Sequence, residues 1–142
     1  MLLAYSSAAA RPLSAADLLD LLTRARKHNE MHGITGMLLY VDGAFFQVLE
    51  GNKDVLRALY EKIDRDTRHS NVLKLIEEPI DHRAFADWSM GYARATRDTL
   101  STIPGLNDFF ARGSSLNELE SGRAKVLLEA FREGRWRRRL NA

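Results

Sequence analysis

The chain has 142 residues, no cysteine, four histidines and a net charge of +2. That length supports one domain with a full core rather than two, and the missing cysteines exclude disulfides, thiolate metal sites and a cysteine nucleophile. No window of 18 apolar residues is present, and the start MLLAYSSAAARPLSAAD has neither the charged opening nor the long apolar run of a signal peptide, so a cytoplasmic protein is expected.

In chain order, LLAYSSA (2–8) reads as a short strand. Ser14 then precedes AADLLDLLTRARKHN, where Leu18, Leu21, Leu22 and Ala25 recur at helical spacing and Asp17 stands three after Ser14, as in a capping box. The helix is expected to stop near His32 and Gly33, since glycine commonly follows a helix end. GITGMLLYV and AFFQVLE follow as two strands joined through Val-Asp-Gly, a hairpin signal. Asn52 can cap a second helix, KDVLRALYEKIDRDTRH, with Val55, Leu56, Leu59, Tyr60 and Ile63 on its buried side. VLKLIEE supplies a fourth strand and WSMGYARA a fifth. LNDFFARG is expected as a short helix, and Ser115 with Glu118 suggests a capping box opening a last helix through LNELESGRAKVLLEAFREG.

The order β-α-β-β-α-β, with one more strand, predicts an α+β ferredoxin-like sandwich. It has a five-stranded mixed sheet, two helices on one face and the C-terminal helices on the other. Residues 1–96 form the core, and 97–142 are a helical extension of the same domain. In this topology the first and third strands are neighbours, which brings Tyr5 towards Gln47.

Gln47 is the odd residue of AFFQVLEG. Period-2 alternation puts Phe45, Gln47 and Leu49 on one face and Ala44, Phe46 and Val48 on the other, so both faces are apolar and covered. An unanswered amide there costs about 1–3 kcal/mol, which calls for a partner side chain or a ligand. Elsewhere, His28 and His32 stand i, i+4 in HNEMH, without the glutamate placement of a zinc-protease motif, and no metal site is expected. The basic run REGRWRRRL can touch phosphates but reads first as a solvated tail or docking segment.

Fold alone does not decide function. The residues carry more: Tyr5-Ser6-Ser7, Asn29 ahead of GITG, LLY, FFQVLEG, DRDTRHS at 64–70 and RAFADWSM at 83–90 follow one another as in the BLUF family. The chain resembles these blue-light sensors over residues 1–95. The resemblance implies FAD bound non-covalently, with its ring between the two helices and against the sheet. It implies that Tyr5 donates an electron and a proton to the excited flavin, that Gln47 relays the change, and that Asn29 holds the pyrimidine edge. Ile34 and Ile63 would sandwich the ring, and Lys62, Asp66 and Arg68 would meet the ribityl and phosphate part. Ser7, His28 and His69 complete the implied cofactor contacts. Trp88 and Met90 match the pair whose relation to the glutamine changes on signalling.

The implied photocycle leaves the flavin's redox state unchanged and alters only its hydrogen bonds, shifting absorption slightly to the red. Output is expected to leave through the fifth strand and the C-terminal helices. With no cyclase, phosphodiesterase or transcription-regulator module in the 142 residues, it is expected to reach a separate partner, from a homodimer or larger homo-oligomer. A sensor rather than an enzyme is therefore expected, with neither membrane nor nucleic acid as partner. The alternatives are a ferredoxin-like nucleic-acid binder, for which no RNP-like basic-aromatic run is present, a small-molecule regulatory domain, and an acylphosphatase, for which no glycine-rich phosphate-cradling loop is found.

Overall fold

The computed structural model describes residues 1–11, 13–67, 69–86, 89–93, 100, 102–111, 116–132 and 137–138. The elements are β1 (Leu2–Ala9), α1 (Ala15–His32), β2 (Thr35–Val41), β3 (Ala44–Glu50), α2 (Lys53–Arg65), β4 (His69–Glu78) and β5 (Gly91–Ala93). Then come α3 (Asn107–Ala111), a 3₁₀ turn (Leu116–Glu118), α4 (Ser121–Arg132) and a two-residue strand β6 (Arg137–Arg138). The sheet order is β4-β1-β3-β2-β5-β6, antiparallel except for the β2–β5 pair. This is the expected ferredoxin-like sandwich, extended at one edge by β6.

Local chemistry explains the element ends. Ser14 Oγ accepts from Asp17 N–H at 3.1 Å while Asp17 Oδ2 accepts from Ser14 N–H at 3.1 Å, which closes the capping box of α1. Gly33 ends the helix in the left-handed region (φ 66°), donating its N–H to the Asn29 carbonyl. Asn52 Oδ1 accepts from Asp54 and Val55 at the start of α2. The β2–β3 connection is the two-residue turn Asp42-Gly43, both at positive φ, as a right-twisted hairpin prefers.

The two faces of the sheet carry separate cores. Leu3, Tyr5, Phe45 and Leu49 pack with Leu18 and Leu22 of α1 and Leu56 of α2. Ala4, Phe46 and Val48 pack on the other side with Phe110, Leu116, Leu119, Leu127 and Leu128 of the C-terminal layer. Among the described residues no helix is long and apolar enough to cross a membrane.

Three boundaries differ from expectation. The second helix stops at Arg65, with Asp66 as an extended C-cap, and β4 already starts at His69, because that stretch pairs with the end of β1 (Ala9 opposite His69). The last helix does not run unbroken from 116. A 3₁₀ turn first places Leu116 and Leu119, three apart and therefore eclipsed, together in the core, and α4 begins at Ser121. The expected cap at Ser115 lies outside the described residues. Among the described residues the fifth strand is Gly91–Ala93, with the Ser89 and Met90 carbonyls taken by α1 side chains instead of the ladder, and the expected strand positions 88, 94 and 95 lie outside the described residues.

Candidate functional site

β1 and β3 pair with Tyr5 directly opposite Gln47, and both side chains point to the helix-covered face. Both are buried. The Tyr5 hydroxyl donates to Gln47 Oε1. Burial pushes the Tyr5 phenol well above its ordinary pKa, with Tyr60 and the Asp66 carboxylate adding to the effect, so the proton stays on oxygen through the neutral range. Tyr60 stands edge-on to it, ring centroids 5.9 Å apart.

The other half of the amide is poorly answered. Among the described residues, Gln47 Nε2 has one hydrogen-bond partner, the thioether of Met90 at 3.5 Å. A primary amide nitrogen has two N–H donors and sulfur is a weak acceptor, so at least one donor is left for a ligand.

That amide lies at the floor of a cleft of about 170 Å³ between α1 and α2. Leu21 and Ala25 of α1 and Leu59 and Ile63 of α2 form its walls; Tyr5, Leu38, Phe45 and Gln47 form the floor; Arg24, His28, Asn29 and Lys62 supply polarity. Leu21, Arg24 and Phe45 also line an adjoining groove of about 430 Å³ that reaches Arg11, Asp17 and Thr67, so the two make one trench along α1. Apolar walls around convergent donors suit a planar ring with a polar edge, and the adjoining groove leaves room for a long tail. The residues present therefore fit a flavin.

The structure gathers Tyr5, His28, Asn29, Gln47, Lys62 and Ile63 on this cleft. Met90 reaches it through Gln47. Asn29 Nδ2 donates to the Ser89 carbonyl at 2.6 Å, and its Oδ1 lies 3.4 Å from His28 Nδ1, whose ring stacks on His32. Ser7 and Ile34 are buried without lining the cleft, and Asp66 caps α2 next to Thr67, which lines the adjoining groove. Arg68 and Trp88 lie outside the described residues, as does the His69 side chain. No group of three or more His, Cys, Asp or Glu capable of holding a metal occurs among the described residues.

Sequence reading missed the walls as walls. Leu21, Ala25 and Leu59 were legible only as core-facing helix positions. It also missed Arg26, whose Nε donates to the Met90 carbonyl at 2.9 Å, and Glu30, which accepts from Ser89 Oγ at 3.3 Å. Their spacing with Asn29 (26, 29, 30) marks one helix face, the one signal available.

Comparisons with known proteins agree. The family described as BLUF, sensors of blue-light using FAD, matches residues 1–91. The beta subunit of photoactivated adenylate cyclase from Euglena longa is 41% identical over 121 residues, which cover 84% of this chain and 14% of that protein. The ground-state structure of BlsA superposes with a TM-score of 0.79 at 34% identity, covering 99% of this chain and 92% of BlsA. A bacterial light-regulated adenylyl cyclase gives 0.67 at 32% identity, over 79% of this chain and 34% of the cyclase. The chain thus spans about a seventh of the curated relative it matches and nearly all of BlsA.

Proposed function

The chain belongs to the BLUF family, sensors of blue light using FAD, and on that premise we propose that its switch is the Tyr5–Gln47 pair, with Met90 as the side chain that registers the state of the amide. The protein is a blue-light photoreceptor and its cofactor is FAD. The observation that supports the switch assignment is the one-sided satisfaction of Gln47: Oε1 is taken by Tyr5, while Nε2 faces a thioether.

Bound FAD supplies a blue-light absorber that, once excited, draws one electron from a nearby donor. Tyr5 is that donor. Its phenol holds the proton firmly in the ground state, but a phenol that has lost an electron becomes a strong acid, and the hydrogen bond to Gln47 Oε1 is the path its proton takes. As Oε1 gains that proton, Nε2 would release one towards the cofactor that took the electron; when electron and proton return, Tyr5 would again be a neutral phenol and the amide would be left tautomerised or turned, with donor and acceptor ends exchanged. Two closed hydrogen-bond arrangements around one side chain make a bistable element. Asn29, His28, Lys62 and Ile63 hold the cofactor, together with Leu21, Ala25 and Leu59. Asp66, Arg68 and His69 are assigned to the tail, Ser7 and Ile34 to support of the floor, and Trp88 to the same reporting role as Met90.

Residues 1–96 act as the sensing core and 97–142 as the output layer. Relatives join this domain to cyclases by name; here the output layer is proposed to act on a separate effector protein, from a homo-oligomer in the cytoplasm. The test is direct. Purified, FAD-loaded protein should show a small red shift under blue light that reverses in the dark; a spectrum unmoved by light would overturn the reading.

A further inference from the structure

Met90 is buried, and its sulfur is the acceptor that Gln47 Nε2 meets at 3.5 Å. Such a contact does not hold itself. A thioether is a weak acceptor at the end of a side chain with three rotatable bonds, so where the sulfur rests depends on how the backbone beneath it is fixed. The β5 ladder begins one residue later, with Gly91 opposite Met37, and α1 does the holding instead. Arg26 Nε donates to the Met90 carbonyl at 2.9 Å. One residue back, the Ser89 carbonyl accepts from Asn29 Nδ2 at 2.6 Å, and Ser89 Oγ donates to Glu30 Oε1 at 3.3 Å. Arg26 does not line the cofactor cleft, yet of these three α1 residues it is the one bonded to Met90 itself.

Resting on the switch assignment above, we infer that Arg26 is a positioning residue for the switch: its charged hydrogen bond to the Met90 carbonyl keeps the sulfur in front of Gln47 Nε2 and thereby favours one orientation of the amide. A thioether accepts and cannot donate. It therefore favours the amide with its NH₂ towards the sulfur and Oε1 towards Tyr5, over the exchanged arrangement, in which an acceptor faces the sulfur. The first is the arrangement of the structure and corresponds to the dark state. With the sulfur held, the illuminated amide is drawn back to it; with the Met90 backbone loose, the sulfur can turn aside and the preference fades. Arg26 thus sets the lifetime of the lit state through Met90.

The experiment follows dark recovery of the red-shifted absorption after a blue-light pulse in FAD-loaded wild type, Arg26→Leu, Arg26→Lys, Met90→Leu and the double variant Arg26→Leu/Met90→Leu. Arg26→Leu should keep FAD and the red shift and recover more slowly, by roughly 2- to 30-fold. Arg26→Lys, which can still donate to a carbonyl, should recover at a rate nearer the wild type. Met90→Leu should itself slow recovery, and in that background Arg26→Leu should add nothing, because the sulfur through which it acts is gone. A wild-type recovery rate in Arg26→Leu, or an effect of the same size with and without the sulfur, overturns the inference. Where Arg26→Leu does not fold, Arg26→Gln, whose shorter side chain keeps a polar end and withdraws it from the carbonyl, takes its place under the same outcomes. A Met90→Leu protein that recovers like wild type, or a wild type without a red shift, overturns instead the switch assignment on which the inference rests.

Discussion

Alternate residues of β3 face two interiors of different kinds. Phe45, Gln47 and Leu49 look into the helix-covered side, where Tyr5, Asn29 and Gln47 stand among apolar walls, whereas Ala44, Phe46 and Val48 look into a core built with the C-terminal layer from aliphatic and aromatic side chains. The contrast is chemical. On the first side a hydrogen bond can exchange partners at almost constant volume, while on the second a change of state must be a change of packing, which close-packed interiors resist. A light switch needs both: one face where the state is cheap to change, and another where the change is felt as shape.

Substitutions on the two faces should therefore fail in different ways. The largest effect is expected from Tyr5→Phe, which keeps the ring and its packing and removes the phenolic proton. FAD should stay bound, the red-shifted product should disappear, and flavin fluorescence should last longer for want of its nearest quencher. An unchanged fluorescence lifetime with a normal product would reduce Tyr5 to packing. Next is Phe46→Ala, on the opposite face of the neighbouring position. Here the loss should be about 3–5 kcal/mol of stability from the cavity, read from chemical denaturation, with a normal red shift in the folded fraction. Loss of the red shift in folded protein would erase the distinction between the faces.

Smaller still is an alkaline effect specific to the flavin side. Tyr5 has a raised pKa in the folded state, so above the ordinary phenol value near 10 the unfolded chain gives up this proton while the folded chain keeps it. Fewer protons on the unfolded state mean that stability falls as pH rises, by up to about 1.4 kcal/mol per pH unit. It is fully present below pH 10 and lost as the pH climbs towards the folded pKa. Tyr5→Phe should reduce this slope and leave the part owed to Tyr60, whose phenol burial also raises, and Phe46→Ala should leave the whole slope in place.

Much of this contrast was legible in the chain itself. Alternation in AFFQVLE separates the faces correctly, the Ser14 and Asn52 caps and the Asp42-Gly43 turn set the flanking elements, and the strand order then places Tyr5 opposite Gln47. What escaped depends on contacts distant in sequence. Glu50 looks like an ordinary strand end until Ala84 and Phe85, more than thirty residues on, return to it. Ser89 and Met90 fit a strand by composition, yet Arg26 and Asn29 draw their carbonyls out of the ladder. The break after Leu119 was hidden because a 3₁₀ turn and an α-helix bury leucines at the same i, i+3 spacing.

The most direct test of the switch is Gln47→Leu, since leucine preserves most of the volume on β3 and removes every donor and acceptor of the amide. The variant should bind FAD between α1 and α2 as the wild type does, and its light-minus-dark absorption spectrum should lack the red shift entirely. A FAD-loaded Gln47→Leu protein that turns red-shifted in blue light and recovers in the dark would contradict the account.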